Sequence, residues 1–121
     1  MFPTIHTKTL INDKATTKNI SDDFQSIGKK IQTRDVFILY LAGHGIEKNG
    51  NFHFMPYEAK YENREKFFKG CLLNEEINSL LKSIKALKSL IILDTCYSDL
   101  LAENTSDVML AKRRSGMLEN W

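Results

Sequence analysis

Two residues in this sequence carry the chemistry of a nucleophile and its base, and each follows one of the two most apolar runs in the chain. His44 stands between glycines in Ala42-Gly43-His44-Gly45, directly after Val36-Phe37-Ile38-Leu39-Tyr40-Leu41. Cys96 stands in Asp94-Thr95-Cys96, directly after Leu90-Ile91-Ile92-Leu93. An unassisted thiol with a pKa of about 8.5 is only a few per cent thiolate at neutral pH, and a nearby imidazole raises that fraction or takes the proton during attack. The glycines suit the same chemistry: lacking a Cβ, they let a substrate backbone approach, and Gly45 can aim its N–H at a developing oxyanion. Singly, each residue has an ordinary explanation, the cysteine as a small apolar filler and the histidine as a loop residue. Their joint placement after the two apolar runs is what favours nucleophilic catalysis.

The elements must bring the pair together. Val36 to Leu41 is a β-favouring run that reads as a central parallel strand, and Leu90 to Leu93 reads as another. In open parallel sheets, sites form beyond the carboxyl ends of strands, which would put imidazole and thiol on one rim. Upstream, residues 4–10 mix β-branched and apolar types and predict a strand. A helix then follows from about Thr16, its cap, with Ile20, Phe24, Ile27 and Ile31 on one face. Lys48-Asn49-Gly50-Asn51 is a turn signal before a short strand at 52–55 and predicts a hairpin. Residues 58–66 read as surface loop. A second helix starts near Asn74, with Glu75 and Glu76 in its first turn and Ile77, Leu80, Leu81, Ile84 and Leu87 on its core face. The alternation predicts an α/β layered fold with a mostly parallel sheet and right-handed crossovers.

Composition narrows the function classes. With 121 residues, 42% of them hydrophobic, one domain with a real core is expected. The 17 Lys and Arg against 15 Asp and Glu leave a net charge of +2 and no basic stripe, so no nucleic-acid partner is expected. No apolar run reaches membrane-span length and the amino terminus has no signal-peptide pattern, so the expected location is cytoplasmic. There Cys71 and Cys96 are expected as free thiols, Cys71 in a packing role. His6 and His53 sit in strand-like segments and are also assigned to packing. No CxxC or HExxH spacing occurs, so no metal is expected. A flavodoxin-like small-molecule binder fits the alternation, but no glycine-rich phosphate loop follows the first strand, and no cofactor is implied.

LYLAGHG and LIILDTCYS resemble the histidine and cysteine motifs of the caspase and metacaspase superfamily, and the resemblance runs over about residues 4 to 98. It implies a cysteine endopeptidase acting on protein or peptide substrates, with Cys96 as nucleophile, His44 as general base and acid, and the backbone amides of Gly45 and Cys96 as oxyanion hole. Ala42 stands where serine is commoner, and Tyr97 where metacaspases often have histidine. Metacaspases use the Asp two residues before the cysteine to bind a basic side chain, and Asp94 occupies that position. A carboxylate there favours cleavage after Arg or Lys; its simpler role is to cap a helix or turn at the strand end.

By the resemblance, the sequence is expected to correspond to the middle of the domain, lacking the family's first strand-helix unit and its C-terminal strands. A second chain completing the sheet is therefore an expected partner. The alternative function is an inactive caspase-like interaction module or a truncated pseudoenzyme. Lys112-Arg113-Arg114 falls where family members often carry a maturation linker. Its ordinary reading is a solvated basic cluster; the functional one is self-cleavage after Arg113 or Arg114.

Overall fold

Helix α1 (Thr17–Lys30) begins where the capping signal predicts: the Thr16 hydroxyl accepts a hydrogen bond from the Asn19 N–H at 3.2 Å. Glu58 supplies a second cap, its Oε1 accepting from the Thr17 N–H at 2.7 Å. A computed structural model describes residues 4–59, 63–96 and 109–112. Phe24 is buried on the inner face of α1, with Ile20, Ile27 and Ile31 half-buried beside it.

Two sheets follow. Strand β1 (Val36–Ala42) pairs in parallel with β5 (Lys88–Asp94), Val36 opposite Lys88 through Ala42 opposite Asp94. Strand β6 (Met109–Lys112) extends the sheet on the far side of β5, also parallel, with Leu93 opposite Lys112. Between β1 and β5 in sequence, β2 (Gly45–Lys48) and β3 (Asn51–Phe54) form the expected hairpin. Asn49 and Gly50 turn it with φ of 54° and 77°, the double positive φ that matches strand twist. Strand β4 (Leu72–Leu73) adds antiparallel to β3. The expected α/β fold with a parallel sheet is thus present, joined by a small antiparallel sheet.

Helix α3 (Asn74–Lys82) starts as predicted, with the Glu76 carboxylate accepting from the Leu73 N–H at 2.8 Å. The hairpin, α3 and the inner face of the parallel sheet meet in one cluster of Phe52, Phe54, Leu72, Ile77, Ile91 and Leu93. A second cluster of Phe24, Phe37 and Ile84 ties α1 to the lower part of the sheet. Each fully buried side chain of this size contributes about 1.5–3 kcal/mol relative to exposure, and the first cluster, which holds Leu93, Phe52 and Phe54, is the one that underlies the carboxyl rim.

Five expectations change. A strand does follow the cysteine: β6 finds a parallel partner in β5, where the sequence alone predicts the later strands to be missing. Residues 4–10 are not a strand: they lack regular structure, Ile5 is 84% exposed, and a Lys8–Asp23 ion pair at 3.8 Å is what ties them to α1. β-Favouring composition makes a strand only when a ladder partner exists. β1 is not buried on both faces: Phe37 points inward, while Ile38 and Tyr40 are each 61% exposed, and among the described residues β1 pairs only with β5. Part of the predicted 58–66 loop enters helix α2 (Arg64–Lys69), whose start is capped by Asn63 Oδ1 accepting from the Lys66 N–H at 2.9 Å. Leu87 is exposed rather than packed, because α3 has ended at Lys82 and the chain is already turning into β5.

Candidate active site

The parallel register places the last residues of β1 and β5 side by side, so the segments beyond them leave the sheet together. Gly43 continues the ladder one step past β1, its N–H donating to the Asp94 carbonyl at 3.2 Å. The chain then turns sharply. Gly43 has φ +152°, and a Cβ there would lie 3.0 Å from the Phe54 ring, so a side chain is excluded both by conformation and by space. The His44 carbonyl accepts from the Met55 N–H at 2.9 Å, which pins the histidine segment to the chain leaving β3 while its side chain remains exposed.

Beyond the end of β5 the chain passes through Thr95, 1% exposed, to Cys96, which is exposed. The Thr95 hydroxyl donates to the Cys96 carbonyl at 3.0 Å and fixes its direction. That carbonyl oxygen lies against Gly45: a methyl group on Gly45 would collide with it and with the fully buried Phe52 ring. The histidine and cysteine segments therefore abut, and the close approach requires glycine at position 45.

Asp94 is half-buried on the outer face of the sheet, and the Tyr40 hydroxyl donates to its Oδ2 at 3.2 Å. His44, Gly45, Asp94 and Cys96 thus share one rim. The remaining histidines and cysteine lie elsewhere. His53 is buried in β3, its Nδ1 3.1 Å from the Asn51 carbonyl oxygen and its ring edge-on to Phe68. His6 is exposed in the irregular segment before α1. Cys71 is buried, its Sγ donating to the Phe67 carbonyl at 3.3 Å, and burial pushes its thiol pKa up. Arg113 and Arg114 lie outside the described residues; Lys112 is the last residue of β6.

A family model for the caspase domain matches residues 2–119. The chain belongs to the caspase-domain family. No curated protein is significantly similar to it. The caspase domain is a cysteine-peptidase domain. Among the described residues, no helix of this caspase-domain chain is long and apolar enough to cross a membrane.

Two residues at the site escape the motif reading. Thr95 is visible only as the residue between Asp94 and Cys96, and its burial continues the inward parity of Ile91 and Leu93 one step past the end of β5. Tyr40 is hidden inside an apolar run. Its signal is parity: Ala42 pairs with Asp94, so Tyr40, two residues earlier, faces the same side as that carboxylate.

Proposed function

We propose that this caspase-domain chain is a cysteine endopeptidase of metacaspase type that cleaves after Arg or Lys. Cys96 is the nucleophile. His44 takes the thiol proton as sulfur attacks the scissile carbonyl carbon, and the amides of Gly45 and Cys96 stabilise the oxyanion. The tetrahedral intermediate collapses as the C–N bond breaks and His44 returns the proton to the leaving amine. The resulting thioester is hydrolysed by water that His44 deprotonates, and Cys96 leaves as thiol. Asp94 receives the basic side chain of the residue before the scissile bond. The expected location is the cytoplasm, where thiols stay reduced.

The observation that carries this reading is the contact of Gly45 with the Cys96 carbonyl, which places the histidine and cysteine segments against each other at the end of two paired strands. The test is covalent labelling by a peptidyl acyloxymethyl ketone ending in Arg, followed by peptide mass spectrometry. Labelling confined to Cys96, and lost in His44→Ala, is expected. Labelling that does not depend on His44 rules the dyad out.

A second reading, a non-enzymatic caspase-like interaction module, draws on the outer face of β1, where Val36, Ile38 and Tyr40 are exposed beside an edge unpaired among the described residues. Such an edge suits a second chain that adds to the sheet. Concentration-dependent association that disappears in Ile38→Lys, with no labelling of Cys96, favours this reading over the peptidase.

A further inference from the structure

Tyr40 is an aromatic residue on a face where it gains little from burial. It is 61% exposed, so apolar packing does not account for its position. What holds its end is polar: the phenol O–H donates to Asp94 Oδ2 at 3.2 Å. The bond joins two strands distant in sequence. Ala42 is opposite Asp94 and Tyr40 lies diagonally behind it on the same face, a spacing that long aromatic side chains can bridge.

We propose that Tyr40 is a positioning residue for substrate specificity, holding the Asp94 carboxylate in the orientation that receives a basic side chain; this rests on the reading of Asp94 as the base of the substrate pocket. A carboxylate at a strand end rotates about its side-chain bonds, and a cation that binds it must stop that rotation. A hydrogen bond already made to one oxygen removes part of that cost before substrate arrives, which is the advantage of a preorganised site. Tyrosine suits the task because its hydroxyl sits at the end of a rigid ring with only two side-chain torsions. The effect acts on binding of the basic side chain and not on attack by Cys96, since the hydroxyl contacts the carboxylate.

The test uses the full chain and three peptidyl acyloxymethyl ketones that differ only in their last residue: Arg, Lys or norleucine. The rate of Cys96 labelling is measured against probe concentration to give a half-saturating concentration and a limiting rate for Tyr40→Phe, Asp94→Asn and the double variant. Tyr40→Phe is expected to raise the half-saturating concentration for the Arg and Lys probes about tenfold, the scale of a hydrogen bond to a charged group. Its limiting rate and its reaction with the norleucine probe stay unchanged, and in the Asp94→Asn background it has no further effect. An equal change with all three probes, or none with any, overturns the proposal. If Asp94→Asn itself keeps the basic preference, the reading of Asp94 falls and the proposal with it; if Asp94→Asn loses the preference while Tyr40→Phe keeps it, only the role of Tyr40 falls. Failure of every probe to label the unmodified chain overturns both. Thermal melting of Tyr40→Phe close to that of the parent separates positioning from folding.

Discussion

Gly45 and Cys96 meet backbone to backbone, with the Cys96 carbonyl oxygen in the space that a side chain on residue 45 would fill. The oxygen is held by Thr95 and the other neighbour, Phe52, is fully buried, so neither gives way easily. Gly45→Ala is expected to cost about 1–3 kcal/mol, the range for forcing extra volume into a packed site. Thermal or urea unfolding measures this. A variant as stable as the parent means that the two segments separate freely.

The two thiols differ in access. Cys96 is exposed, whereas Cys71 is buried and its pKa is raised by that burial. Iodoacetamide at pH 7.5 should modify Cys96 under native conditions and Cys71 only after unfolding. Mass mapping of the alkylated peptides checks the order, and rapid native modification of Cys71 contradicts the packing around it.

The same burial gives a pH dependence with a defined sign. A thiol whose pKa is higher in the folded than in the unfolded chain holds its proton longer when folded, so the folded state binds more protons above the unfolded value. Its contribution to stability is complete below about pH 8.5 and is lost as pH rises through the folded pKa. Urea midpoints taken from pH 7 to 10 should fall at the alkaline end, and Cys71→Ala should flatten that fall while lowering stability throughout. An unchanged slope in Cys71→Ala assigns the fall to other groups.

Asp94→Ala is expected to weaken cleavage after Arg and Lys selectively, by about tenfold or more, the scale of one lost charge-assisted contact. Peptide substrates matched except for the residue before the cut provide the measurement. Equal loss for basic and neutral substrates instead makes Asp94 a structural residue at the end of β5.

The basic run that begins at Lys112 supplies a further test. β6 is parallel to β5 and ends opposite Leu93, so its last residue lies at the carboxyl end of the sheet, the end that also carries Cys96. Self-cleavage after Arg113 or Arg114 is expected, and absent in Cys96→Ala. New amino termini mapped by mass spectrometry report it. A chain that cuts other substrates while remaining intact between Ala111 and Gly116 contradicts it.

Much of the scaffold was legible because its signals are local. Thr16 caps α1 through its own side chain, Asn49-Gly50 carries the turn in its backbone preference, and the helical spacing around Ile77 marks an inner face. The sequence is silent where structure depends on partners distant in the chain. The apolar run at 36–41 does not reveal that Ile38 and Tyr40 remain exposed, since that depends on what lies over the sheet. Residues 4–10 have strand composition and no ladder. Leu72–Leu73 is too short for any periodicity, and pairs with β3 only because α2 turns it back. At the site, the motifs point to His44 and Cys96, but the need for Gly45 comes from the path of the cysteine segment, which no residue near position 45 encodes.

The register of β1 and β5 also sets when the rim can exist at all. Val36 meets Lys88 and Ala42 meets Asp94, with a hairpin, two helices and a short strand in the intervening chain. Closing so long a loop is entropically costly and comes late relative to local helices and turns. A growing polypeptide that has emerged only as far as α3 holds the histidine and lacks the strand that carries the thiol. Synthesis order therefore delays the pairing of β5 with β1, and local unfolding that frees β5 from β1 separates the segments that carry His44 and Cys96.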